Sequence, residues 1–195
     1  MMRLRDLISV GAKHRAALFI TLMAFLFPMT ASAQTAVTTL GADDARNCYH
    51  DALNATVTDS DSCDTALRLS NLTKKDERAT FVNRGIILNR AGKYDEAIKD
   101  FDRALAGKGD LAEALLNRGN SYFLKGQLDQ ALDDYEASIE AGLQKVHFAW
   151  YNIGLVRRAR KDWQGAIVAF EKALEANPGY TPAQEKLADT RERQD

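Results

Sequence analysis

LLNRGNSYFLKGQLDQALDDYEAS, residues 115–138, holds the pattern that decides the fold. Its Gly119 has counterparts at Gly85, 34 residues earlier, and Gly154, 35 residues later. Two residues before each glycine stands an asparagine: Asn83, Asn117 and Asn152. Twelve residues after it stands Ala97, Ala131 or Ala166, and sixteen after it an aromatic, Phe101, Tyr135 or Phe170. Nineteen after it comes another small residue, Ala104, Ser138 or Ala173. Five coincident columns in three copies mark stacked supersecondary units of fixed length.

Each unit reads as a pair of helices. Apolar residues recur at helical spacing over 78–91 (Phe81, Ile86, Ile87, Leu88) and again over 94–106 (Tyr94, Ala97, Ile98, Phe101, Leu105). Ala91-Gly92 and Lys125-Gly126 fall between the halves, where a helix C-terminus takes a left-handed residue. Lys161 stands at that place in the third copy, so a different turn is expected there. Small residues at the repeated columns let paired helices approach, and the aromatic fills the gap beside them. Arg84 and Arg118 precede two of the glycines, with Asp100 and Asp134 sixteen residues later. In the third copy both places change together, to Ile153 and Ala169. The paired change predicts Arg84–Asp100 and Arg118–Asp134 ion pairs between paired helices, replaced by an apolar contact in the third unit.

This pattern resembles the tetratricopeptide repeat family. The third unit carries Trp150, Ile153-Gly154, Ala166, Phe170, Ala173 and Pro178 at the family's signature places. The second carries Gly119, Tyr122, Ala131, Tyr135 and Ser138, and the first Phe81, Gly85, Ala97, Phe101 and Ala104. The resemblance implies an all-α, right-handed solenoid with helix pairs over 78–111, 112–146 and 147–180. It also implies that the first helix of each pair lines a concave face, and that the protein binds other proteins. Asn83, Asn117 and Asn152 should then form a ladder along that groove. An Asn amide offers a donor and an acceptor, enough to pair with the backbone of an extended peptide; the same amides could instead bond between repeats and hold the stack. By helical offset, the neighbouring groove residues are Ile86, Asn89 and Arg90, then Leu116, Asn120, Phe123 and Leu124, then Tyr151, Leu155 and Arg158. This mixture suits an extended peptide or a helix better than a highly charged tail. A carboxylate clamp would want more Lys and Arg.

Both flanks extend the stack. Residues 181–195 read as a capping helix and tail, with Thr181 as the cap and Pro182 in the first turn. Ala183, Leu187 and Ala188 are placed to cover the open end, with Asp189 facing water. Residues 42–77 read as a degenerate leading pair, because Cys63-Asp64-Thr65-Ala66-Leu67 has the rhythm of Phe101-Asp102-Arg103-Ala104-Leu105. Cys48 lies on the helical stretch 44–53, before a polar turn over 56–62. Two antiparallel helices bring Cys48 and Cys63 together. Closing that loop as a disulfide is worth on the order of 3 kcal/mol; two buried free thiols are the other reading. Residues 34–41 read as a flexible lead-in.

Residues 1–33 look like an address. Arg3, Arg5, Lys13 and Arg15 precede an apolar run from Ala16 to Phe27, broken by Pro28 and followed by Ala31-Ser32-Ala33. The run is shorter than the roughly 20 residues that a bilayer span needs. A secretory signal cleaved after Ala33 is expected, with an uncleaved anchor as the alternative. Cleavage leaves no integral membrane span. The absence of an Arg-Arg pair favours general secretion. The chain is thus expected in an exported compartment, the periplasm of a Gram-negative bacterium, where disulfides persist.

Composition narrows the chemistry. Apolar residues make up 46% and charged residues 27%, which is globular and excludes wholesale disorder. Formal net charge is −1, and loss of the leader makes it −4, so nothing draws the chain to nucleic acid. The basic run Arg157-Arg158-Ala159-Arg160-Lys161 sits near a helix end, where cations are favoured by the dipole. His50 and His147 sit in no nucleophile motif and read as solvated helix-end residues. No metal-ligand spacing or phosphate loop occurs. No catalytic residue, metal or cofactor is assigned. The expected role is a non-enzymatic scaffold or adaptor that binds a peptide or partner segment in its groove, the alternative a chaperone-like binder of exported or unfolded proteins.

Overall fold

The computed structural model describes residues 32–68, 71–106 and 111–193, with side chains from Asp43 onward. All but the last two residues of the expected leader lie outside the described residues. The helices are α1 (Ser32–Leu53), α2 (Asp61–Arg68), α3 (Lys74–Arg90), α4 (Tyr94–Leu105), α5 (Ala112–Leu124), α6 (Leu128–Glu140), α7 (Val146–Ala159), α8 (Trp163–Ala176) and α9 (Thr181–Glu192). No strand occurs among the described residues. The chain divides into two compact units after Leu40, and the second, from Gly41, holds the repeats. Residues 34–41, expected to be a flexible lead-in, are helical as part of α1. No proline interrupts that stretch, and extending a helix already nucleated needs little per residue.

Helices α3/α4, α5/α6 and α7/α8 pack as three pairs. Each is set by a glycine against an aromatic ring. A Cβ built on Gly85 or Gly119 would lie 2.7 Å from the ring of Phe101 or Tyr135, and one on Gly154 still closer to Phe170. All three rings are buried. The turn inside each pair is left-handed, with φ of +75° at Gly92 and +76° at Gly126. The next amide reaches back to close each helix, Lys93 N to Leu88 O at 2.9 Å and Gln127 N to Tyr122 O at 2.8 Å. The third pair was expected to turn differently, and it does not. Lys161 takes φ of +61°, and Asp162 N donates to Arg157 O at 2.9 Å. Asp162 then caps α8 by accepting from Gly165 N at 2.9 Å, so both flanking helix ends dictate the turn. A lysine in this conformation costs about 1 kcal/mol.

Beside the glycines, Arg84 grips Asp100 through two bonds, Nε to Oδ2 at 2.6 Å and Nη2 to Oδ1 at 2.7 Å. Arg118 holds Asp134 in the same way, at 2.8 and 2.7 Å. Both carboxylates are buried, and the hydrogen bond to each raises its arginine's pKa further above the ordinary value. In each case Nη1 reaches the second helix of the preceding pair, Asp64 of α2 or Asp102 of α4, at 2.6 Å. Each arginine therefore ties three helices together. In the third pair, Ile153 and Ala169 bury themselves with Ala131, Tyr135 and Val156.

A disulfide joins Cys48 of α1 to Cys63 of α2. Both residues are fully buried, in a cluster with Ala52 and Ile87. At the other end, Ala183 and Leu187 of α9 are buried, Leu187 with Ala166, Ile167 and Phe170. Thr190, not Ala188, completes this face, because 183, 187 and 190 share a helical stripe and Ala188 is exposed. Tyr180, not Thr181, occupies the N-cap, without a side-chain bond. Asp189 pairs with Arg158 of α7.

Candidate functional site: the concave groove

A groove of about 620 Å³ crosses α3, α5 and α7. From α3 it takes Ile86, Asn89 and Arg90, and from α5 Leu116, Asn117, Asn120, Phe123 and Leu124. Phe148, Tyr151 and Asn152 come from α7, Tyr135 from α6, and Tyr180 from the segment before α9. No acidic side chain lines it among the described residues, and Arg90 is its one charged lining residue there.

That charge is already engaged. Arg90 Nη1 donates to Asn54 O at 2.6 Å, Val57 O at 2.7 Å and Asp51 O at 3.3 Å, and Nη2 donates to Ala52 O at 2.7 Å. Arg90 thus closes the C-terminal end of α1, which otherwise leaves carbonyls without intrahelical donors. The sequence placed it as a groove contact; its guanidinium is a helix cap at the rim.

The amides form a network between repeats. Asn89 Nδ2 donates to Asn117 O at 3.3 Å, and Ser121 Oγ donates to Asn89 Oδ1 at 2.8 Å. Asn152 Nδ2 donates to Asn120 Oδ1 at 2.8 Å, and Tyr135 Oη donates to the same oxygen at 3.0 Å. Burial pushes the Tyr135 phenol pKa up, which keeps its proton in place. Asn117 Nδ2 donates within its own helix, to Glu113 O at 2.8 Å.

One end of the groove is aromatic. The ring of Tyr180 meets Tyr151 edge-on with centroids 5.4 Å apart, and Phe148 edge-on at 5.6 Å. His147 packs behind Tyr180 at 5.1 Å and is half-buried rather than solvated; burial lowers its pKa. His50 is exposed.

Three sequence-derived groove residues lie elsewhere. Asn83 lines a separate cleft with Tyr49, Ala79 and Thr80, and Leu155 packs into the core of the third pair beside Ile167 and Phe170. The reason is rotation between repeats. The groove uses the C-terminal end of α3, the middle and C-terminal end of α5 and the N-terminal half of α7. It therefore crosses the repeat columns obliquely, as a twisted solenoid requires. Arg158, also placed in the groove by offset, pairs with Asp189, while Arg157 lies 4.0 Å from Asp162 and Arg160 pairs with Asp129. Sequence reasoning missed Phe148, Tyr180 and Tyr135. Only Tyr135 left a trace there, as a tyrosine in a column otherwise filled by phenylalanine.

Residues 76–141 and 147–180 match the tetratricopeptide repeat family, together just over half of the chain. The chain belongs to this family of helix-pair solenoids. No curated protein sequence matches it. Among solved structures it is similar to MamA at 21% identity and a TM-score of 0.59, covering 69% of this chain and 76% of that one. It is similar to the Sgt2 TPR domain from Aspergillus fumigatus at 28% identity and a TM-score of 0.56, covering 60% and 78%. The first TPR of Spaghetti (RPAP3), bound to the HSP90 peptide SRMEEVD, aligns at 21% identity and a TM-score of 0.57, covering 61% and 94%.

Proposed function

We propose that this protein is a non-enzymatic interaction scaffold that holds a peptide, or a segment of a partner protein, in its concave groove. The observation that carries this reading is the lining itself: apolar and aromatic walls around a cluster of Asn amides on the first helices of successive repeats. Solved relatives support such a use of the fold, since RPAP3 TPR domains hold HSP90 and HSP70 peptides and YrrB is described as having an unusual peptide-binding site. We further propose an exported, periplasmic setting, with the leader-like residues 1–33 cleaved. The basic and apolar leader pattern and the Cys48–Cys63 disulfide support it. Amino-terminal sequencing of the secreted form should begin after Ala33; a retained leader would contradict cleavage.

Amides read main chain with little regard to sequence, which favours a second reading, a chaperone-like binder of many exported chains. Photocrosslinking from position 117, followed by capture, separates the two. One dominant partner marks an adaptor, and a broad set of unfolded clients marks a chaperone. Capture should fall when Asn117 and Asn152 are changed to Ala with helicity kept. Unchanged capture would move the binding site off the concave face.

A further inference from the structure

Tyr135 and Asn120 depart from the repeat together. The buried ring column reads Phe101, Tyr135, Phe170, and the groove column reads Ile86, Asn120, Leu155. The hydroxyl and the amide thus occur in one repeat, and there they bond to each other at 3.0 Å. For packing alone, phenylalanine and an aliphatic residue suffice, as the repeats on either side show. The pair instead brings a polar group from the second layer of helices to the groove, which Tyr135 lines from behind.

That hydroxyl and Asn152 Nδ2 both donate to Asn120 Oδ1. An amide oxygen has two lone pairs, so two donors saturate it and fix the amide's orientation. The free face of Asn120 is therefore its NH₂ group, a donor. Asn152 and Asn117 each spend one of their two Nδ2 hydrogens on a bond, which leaves each an oxygen and a second N–H to offer. Asn117 lies one helical turn from Asn120, and Asn152 is bonded to it. The result is an Asn120 amide that can only donate, flanked by two amides that can accept or donate. Extended main chain presents the complement, alternating N–H and C=O groups.

We propose that this row selects an uncharged, extended segment from the interior of a partner chain, and that the Tyr135 hydroxyl is a positioning group that sets the Asn120 amide to donate. The inference rests on the reading of the groove as a peptide site and names the class of peptide it takes. Charge supports the choice. An acidic tail would find one cation, Arg90, whose guanidinium already meets four carbonyls. A basic segment would find no carboxylate in the lining among the described residues. Either charge would be taken from water without a partner, which is costly. Phe148, Tyr151 and Tyr180 give a large apolar side chain of the segment a seat.

Three randomised decapeptide pools test this by fluorescence anisotropy. One is built from uncharged residues with both ends blocked, one ends in four acidic residues with a free carboxylate, and one is lysine-rich. The uncharged pool should bind the full-length processed protein at least about tenfold more tightly than either charged pool, a gap of the size expected for a polar group buried without its partner. Tyr135→Phe copies the neighbouring repeats and keeps the ring. It should weaken that binding about tenfold while helicity and Tm stay near wild type. Asn120→Leu copies the neighbouring repeats at the other column and, combined with Tyr135→Phe, should weaken binding no further than Asn120→Leu alone. Preference for the acidic or basic pool would overturn the inference and leave the peptide reading standing. Equal affinity in Tyr135→Phe would overturn the positioning role. Failure of every pool to bind would overturn both the inference and the reading beneath it.

Discussion

The second and third repeats solve one packing problem with different chemistry. In both, a glycine on the first helix receives an aromatic ring from the second. Next to that contact, α5 and α6 are joined by the bidentate Arg118–Asp134 pair, whereas α7 and α8 meet through Ile153 and Ala169. The difference separates what a repeat requires from what it can exchange. The glycine–ring crossing occurs in all three pairs and sets the approach of the helices. The flanking site tolerates ions or hydrocarbon provided both partners change together. What the ionic version adds is reach, because Arg118 also bonds Asp102 of the preceding repeat.

Breaking the ionic version from one side should have the largest effect. Asp134→Ala leaves Arg118 half-buried without its main partner and should lower unfolding stability by about 3 kcal/mol or more in urea titrations. Arg118→Ile with Asp134→Ala copies the third repeat and should recover most of that loss. Strict additivity of the two single changes would show the pair to be uncoupled. Next in size is the leading pair. Replacing Cys48 and Cys63 with Ala should cost about 3 kcal/mol. Hydrogen exchange should place that loss in α1 and α2, with α7 and α8 unchanged, because solenoid units contact chiefly their neighbours. A smaller gain is expected from Lys161→Gly, which gives the third turn the residue the first two have and should stabilise by about 0.5–1 kcal/mol in the same titration. Destabilisation there would mean that the lysine side chain supports the turn.

The mildest test uses pH at the cap. Asp189 is held below its ordinary pKa of 3.8, first by the hydrogen bond from Arg193 and also by Arg158. A carboxylate with a lowered folded pKa stabilises fully above its unfolded value and loses that contribution as pH falls through the folded one. Helix α9 should therefore begin to loosen below pH 3.8, seen as early loss of its amide signals in NMR spectra. Loosening of α9 already at pH 5 would contradict this assignment.

The fold was largely legible because packing at each crossing forces small and large residues into fixed columns. Gly85 with Phe101 and Gly154 with Phe170 could be paired from spacing alone. The arginine–aspartate pairs could be read because two positions change in concert. The site was less legible. Repeat columns are parallel in the sequence, but the units rotate against each other, so Asn83 and Leu155 fall outside a groove that their counterparts line. Arg90 looked like a groove cation because its partners are backbone carbonyls of α1 and its connecting loop, which no side-chain pattern records. Tyr180 sits in a connection rather than a repeat column, and Lys161 adopts a glycine's conformation because both helix ends impose it.

Hydrogen exchange on the full protein, with and without the uncharged peptide pool, tests the central account most directly. Slowed exchange on binding should appear in the groove-lining stretches of α3, α5 and α7 and around Tyr180. Protection concentrated instead on the second helices α4, α6 and α8 would contradict it.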